Sequence, residues 1–248
     1  MDPTAKTDRP FVNLQRSDSI AWLTLDRPER RNALGEEILV SLNGALSELR
    51  DDETARVVVL TGTAPVFCAG AESKVKSNSS DDERRTAFAG RKSAFRRLFE
   101  RSTILLEGLE QITIAMINGH AIGAGWGLAL ACDFRVSSSK AQFWIPEIDL
   151  GVLLGVGSTT RLVRAVGPIR AKEIILGGGK YSAEQLKELG LVTRVAPPDA
   201  LLEETKAMAN TFAAKPFAPL SQMKARINAI AENAVPAVDV ATQHFLTR

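Results

Sequence analysis

The sequence predicts an α/β protein, and three observations carry that prediction. Val57 to Thr61 is a near-continuous apolar run, as expected of a strand buried on both faces of a parallel sheet. Glu36 to Leu49 places Ile38, Leu39, Leu42, Ala45, Leu46 and Leu49 on one face, the stripe of an amphipathic helix. Further strands and helices then alternate before an almost purely helical tail from Asp199 to Arg248.

Taken in order, Ile20 to Leu25 reads as a strand, followed by the helix and the buried strand just described. A loop with Pro65 and Gly70 comes next, then a polar stretch from Ser77 to Asp82 with the composition of a mobile surface loop. Helical spacing of Phe88, Phe95, Leu98, Phe99, Leu105, Leu106 and Leu109 predicts a helix within Glu83 to Gln111. Ile114 to Ile117 is short, apolar and bounded by turn residues, a buried strand. Gly119 to Gly127 is a glycine-rich turn, and Leu128 to Cys132 is helix-compatible. Ser182 with Gln185 forms a capping box for a helix that stops at Gly190. Pro197-Pro198 separates this core from the tail.

The chain has 248 residues, enough for a full core, with 45% apolar and 24% charged residues. A net charge of +2 gives no electrostatic case for a nucleic-acid or membrane partner. Two cysteines, Cys68 and Cys132, fit a reduced, cytoplasmic protein. No apolar run reaches membrane-spanning length, and Met1 to Pro10 lacks an apolar signal core. No group of histidines, cysteines and acids has metal-ligand spacing, so no metal is expected.

The chemistry concentrates in Gly119-His-Ala-Ile-Gly-Ala-Gly-Trp-Gly127. Strand, glycine turn and helix together aim free backbone N–H groups and the positive end of a helix dipole at one point. Such a point stabilises an anion, including a carbonyl that becomes an oxyanion during reaction.

Asn118-Gly119-x-Ala-x-Gly-x-Gly with Ala131-Cys132-Asp133 resembles the crotonase (enoyl-CoA hydratase/isomerase) superfamily. Ordered matches extend from about Phe11 to Val195: Pro28 to Leu34, Phe67 to Ala71, Ala141 to Phe143 with Pro146-Glu147 and Leu150-Gly151, Arg161 to Gly167, and Gly190 to Val192. The resemblance implies a crotonase-like spiral of ββα units over residues 1–195 and a C-terminal helical trimerisation region over 196–248. It implies trimers or dimers of trimers, and an acyl-CoA thioester as the ligand. Coenzyme A is then part of the substrate, and no separate cofactor is expected. By position, the oxyanion would be held by the backbone N–H groups of Ala71 and Ala124. Contacts to coenzyme A fall on Arg30, Arg31, Ala33, Ala69 and Lys74. Gly127 and Gly155 would border the acyl pocket. Trp126 and Trp144 flank the same point and are bulky enough either to shape that pocket or to belong to the core.

Hydratases of this family commonly use two glutamates. The first aligned position is Gly127, which cannot transfer a proton, and the second is Glu147. A third acidic position, used by dienoyl-CoA isomerases, falls on Gly155. Hydration by the two-glutamate route needs a water held and deprotonated by a pair of groups, whereas moving a double bond needs one base. A lone Glu147 therefore fits conversion of 3-enoyl-CoA to 2-enoyl-CoA. A glutamate at Gly127 is expected to restore the second acid, provided the helix tolerates it. Single-glutamate hydratases and hydratase-lyases share the pattern and are the nearest alternative. A non-catalytic paralogue that binds CoA esters or another protein is the reading of a different class.

His120 reads as a structural or lining residue, and neither it nor His244 accompanies a nucleophile motif. The basic stretch from Arg84 to Arg101 reads first as a solvated helix face and second as an anion-attracting surface. Three departures from the family pattern stand out. Glu72-Ser73 replaces an aspartate and an apolar residue, Leu153-Leu154 replaces a loop proline, and the chain stops at Arg248 before a further helical segment usual in the family.

Overall fold

The computed structural model describes residues 10–72 and 94–234. Its centre is a six-stranded sheet built from β1 (Val12–Ser17), β2 (Ile20–Leu25), β3 (Val57–Gly62), β4 (Ile112–Ile117), β6 (Phe134–Ser138) and β9 (Arg194–Ala196), adjacent in that order. The β1–β2 pair is an antiparallel hairpin, and every other neighbouring pair is parallel. A second, three-stranded sheet contains β5 (Ala121–Ile122), β7 (Gln142–Trp144) and β8 (Tyr181–Ser182).

Alternation along the strands explains why the large sheet is covered on both faces. Leu23, Val58, Leu60, Ala115 and Ile117 enter one apolar core, while Ile20, Val57, Val59, Ile112 and Ile114 enter the other. The first core is closed by α1 (Glu36–Arg50), whose Ile38, Leu39, Leu42, Leu46 and Leu49 are fully buried, and by α2 (Ala94–Glu107). Burying each such side chain contributes about 1.5–3 kcal/mol relative to leaving it exposed. The second core is closed by α6 (Leu201–Ala213) through Leu201, Met208 and Ala209, with Phe212 stacked on Phe134 at 4.8 Å.

The remaining helices are α3 (Ala124–Leu130), α4 (Val156–Gly177), α5 (Ala183–Glu188) and α7 (Phe217–Ala234). The α4 segment is two helices joined at Gly167, where φ is +74° and Pro168 begins the second piece. The capping box of α5 forms as expected: Gln185 N–H donates to Ser182 Oγ and Ser182 N–H donates to Gln185 Oε1. Lys224 anchors α7 to the sheet, donating to Gln111 O and pairing with Asp133, both at 2.8 Å.

Several expectations are corrected. The glycine-rich segment is not one turn before a helix at Leu128. It contains β5, a turn at Gly123, and the start of α3 already at Ala124, so Gly125 and Gly127 are helical. The predicted 83–111 helix is seen from Ala94 and ends at Glu107, before β4. Its residues 83–93, the polar stretch 77–82, Lys74 and the tail beyond Ala234 lie outside the described residues. Arg96, Arg97 and Arg101 are exposed on α2, as a solvated face requires.

Candidate active site

Three segments meet at the N-terminus of α3, and backbone hydrogen bonds fix each of them. Cys68 N–H donates to His120 O and Ile122 N–H donates to Cys68 O, both at 3.1 Å, which lays the 67–72 loop alongside β5. On its other side this loop pairs with Leu34. Leu34 N–H donates to Gly70 O and Glu72 N–H donates to Leu34 O, both at 2.8 Å. In such a parallel bridge the groups of the middle residue, Ala71, point away from Leu34. Gly70 (φ +89°) lies against the turn: a Cβ there would stand 2.7 Å from Ile122 O and 3.8 Å from Ala124 N. The loop that carries Ala71 and the turn that carries Ala124 are thus neighbours. Ala124 supplies the first N–H of α3, which has no acceptor within the helix. With seven residues, α3 adds little dipole, so the free N–H groups rather than the helix field are the electrophilic feature.

Buried Asn32 staples this arrangement. Its Nδ2 donates to Thr63 O at 2.8 Å and Val66 O at 2.9 Å, and its Oδ1 accepts from Arg27 N–H at 3.0 Å. The same turn presents Arg30 and Arg31 to solvent, with Ala33 and Ala69 half-buried beside them. Ala69 N–H donates to Arg31 O at 3.0 Å, so four of the five predicted coenzyme contacts form one patch, and Lys74 lies outside the described residues.

Glu147 reaches the same point from the other side. Gly123 N–H donates to Trp144 O at 2.9 Å, which fixes the end of β7, and the following turn folds the glutamate back over Gly123. The approach is close: a Cβ at Gly123 would stand 2.3 Å from Glu147 Oε1. Gly123 also has φ of +49°, so both contact and conformation require glycine. Burial pushes the Glu147 carboxyl up to about 7, opposed in part by a hydrogen bond from its own backbone N–H. Its Oε2 is buried and has no hydrogen-bond partner. A carboxyl held at this affinity can both accept and return a proton near neutral pH.

The aligned position of the other acid is sterically filled. A Cβ at Gly127 would stand 2.1 Å from Ser158 Oγ and 3.0 Å from Ser158 Cβ, so a side chain added there requires the Ser158 hydroxyl to rotate away and its Cβ to yield slightly. A glutamate at Gly127 therefore requires the Ser158 side chain to move as well as the helix to tolerate it. Gly155 differs, because nothing lies within 4 Å of a Cβ built on it.

Trp126 is fully buried against Phe143 and Tyr181, at 5.6 and 6.4 Å, and so belongs to the core. Trp144 is half-buried beneath Lys180, whose Nζ lies 5.0 Å from the ring centroid. His120 is structural: its Nδ1 accepts from Gln142 N–H at 3.1 Å and its ring meets Trp144 edge-on. Cys68 and Cys132 are free, and burial pushes both thiols up to about 12, leaving them inert. A separate cleft of about 340 Å³ between α2 and α4 is lined by Arg96, Glu100, Glu107, Arg161, Arg164 and Glu232 among others, and holds none of the predicted site residues. Ser158 and Asn32 were not singled out by sequence. The Asn32 side chain reaches backbone more than thirty positions away, a contact that no local pattern announces.

A family model described as enoyl-CoA hydratase/isomerase matches residues 15–247. The chain belongs to the enoyl-CoA hydratase/isomerase family. It is 36% identical over 214 residues to a putative enoyl-CoA hydratase/isomerase, YngF, of Bacillus subtilis, covering 86% of this chain and 79% of that one. It is 34% identical over 223 residues to crotonyl-CoA hydratase of Syntrophomonas wolfei, covering 90% and 81%. Among solved structures, a monofunctional enoyl-CoA isomerase from M. smegmatis superposes with a TM-score of 0.75 at 32% identity, covering 90% of this chain and 95% of that one. The crotonase-type fold and an acyl-CoA-directed enzyme of this family follow.

Proposed function

We propose that the protein is an isomerase that converts 3-enoyl-CoA to 2-enoyl-CoA, with Glu147 as its acid–base group. One observation carries this reading: a carboxylate of raised proton affinity lies over the N-terminus of α3, while Ser158 occupies the room that a second acid at Gly127 would need. Glu147 takes a proton from C2 of the acyl chain. The electron pair spreads through the dienolate onto the thioester oxygen, which accepts hydrogen bonds from the Ala71 and Ala124 N–H groups. Glu147 then delivers the proton to C4, leaving the double bond at C2–C3. Each N–H donor contributes about 10²–10³ in rate.

Coenzyme A lies along the Arg30, Arg31, Ala33 and Ala69 patch, with Lys74 beyond it, and the acyl chain passes Trp144 and Gly155. The enzyme works as a trimer or dimer of trimers in the cytoplasm, with residues 196–248 as the assembling region. Exposed Met223, Ile227 and Ile230 on one face of α7 support that contact. Among the described residues, no helix is long and apolar enough to cross a membrane.

A single-glutamate hydratase is the second reading, favoured by identity to relatives named as hydratases. Mass analysis of products from 3-hexenoyl-CoA separates the two. The isomerase reading requires a 2-enoyl product of unchanged mass as the main species. A wild-type enzyme that hydrates crotonyl-CoA far faster than it isomerises 3-hexenoyl-CoA contradicts it.

A further inference from the structure

Gly127 lies one turn into α3 from the N-cap Gly123, whose carbonyl oxygen accepts the Gly127 N–H at 2.9 Å. Over Gly123 stands Glu147, and over Gly127 stands Ser158. Ser158 is 1% exposed, and its Oγ is buried with no hydrogen-bond partner. An unpartnered buried hydroxyl destabilises a fold, so hydrogen bonding gives no reason for serine here. What Ser158 does do is fill volume. Its Oγ and Cβ lie at 2.1 and 3.0 Å from where a Cβ on residue 127 would be, and Phe99 closes the remaining side at 3.4 Å.

We propose that Ser158 is a reaction-specificity residue: by occupying the space beside Gly127 it keeps a second carboxylate out of the site and holds the enzyme to one-carboxylate chemistry. This rests on the isomerase reading for its chemistry, but the packing relation stands independently of it. A glutamate at 127 would stand one helical turn from the end of α3 that Glu147 overlies, roughly 5–6 Å along the axis. With both carboxylates present, a water could add to a 2-enoyl thioester. The water oxygen bonds to C3, one water proton passes to a carboxylate, and the other carboxyl group donates a proton to C2. The sum is 2-enoyl-CoA plus water giving 3-hydroxyacyl-CoA.

The test pairs two positions. Gly127→Glu alone should be poorly folded or inactive as a hydratase. Gly127→Glu with Ser158→Gly should hydrate crotonyl-CoA at least about tenfold faster than either the wild type or Gly127→Glu, the scale expected of a positioned general acid–base group. A folded double variant without that gain overturns the proposal, as does a single Gly127→Glu variant that hydrates equally well. Should the double variant fail to fold, Gly127→Ala decides. It should lower the melting temperature by several degrees in the wild type and by clearly less in the Ser158→Gly background. Equal losses in both backgrounds overturn the proposal. These melting measurements use no substrate, so failure of the isomerase reading leaves them interpretable.

Discussion

Burial holds the Glu147 carboxyl near pH 7, so both of its protonation states are populated in neutral solution. Two pH dependences follow. As a base the group must be ionised, so kcat/KM for isomerisation should rise with pH through an apparent value near 7. Stability should move in the opposite direction. The folded-state value lies above the unfolded value of 4.5, so the folded protein binds more protons between the two. The stability associated with this group is fully present below about 4.5 and is lost as pH rises through about 7. Glu147→Gln should therefore match the wild type in denaturant unfolding near pH 4.5 and exceed it at pH 8; equal stability at both would show that the carboxyl is not perturbed. At the glycines, Gly127→Ala should cost stability because its Cβ meets Ser158, whereas Gly155→Ala should change the melting temperature little. Calorimetry of the two variants checks this contrast.

Elements with a strong period were legible before the fold was seen. Helix α1 and strand β3 lie within a residue of their predicted bounds because each buries a face that its sequence pattern displays. The capping box of α5 was legible because its two partners are three residues apart. Strands β5, β7 and β8 were not, since two or three residues show no period and their pairing is wholly tertiary. The start of α3 was missed because Gly125 and Gly127 are poor helix formers, and burial against neighbouring elements overrides that propensity. Glu147 is the acid that the family pattern proposes, but its proximity to Gly123 and its raised proton affinity come from the fold of the turn after β7. Ser158 was invisible, because its meaning lies in what it excludes from another helix. The anchor of α7 is a further tertiary feature. Lys224 is buried and paired with Asp133, which is half-buried and also accepts hydrogen bonds from Thr113 N–H and Oγ1–H. Lys224→Ala should therefore destabilise the protein by about 1–3 kcal/mol, the usual cost of removing one partner of a buried polar contact. Chemical denaturation measures it, and a loss below about 1 kcal/mol would show that the pair is dispensable.

At the scale of the whole molecule, the sheet is closed on both faces, and the proposed chemistry sits where its connecting loops meet α3. The helical region after Ala196 adds a surface with exposed Met223, Ile227 and Ile230, spaced along one side of α7. If that side assembles subunits, Ile227→Glu should shift the mass in analytical ultracentrifugation toward the monomer; an unchanged mass would place the subunit contact elsewhere. In the proposed mechanism one carboxylate carries the proton, so activity stands or falls with Glu147. The decisive measurement is the turnover of 3-hexenoyl-CoA by Glu147→Gln, a change that keeps size and polarity but removes the carboxylate that accepts and returns the proton. Turnover should fall by about 10²–10⁴ with little change in affinity for a non-reacting acyl-CoA. Turnover close to that of the wild type, in a variant that remains folded, would contradict the assignment of Glu147 and with it the proposed mechanism.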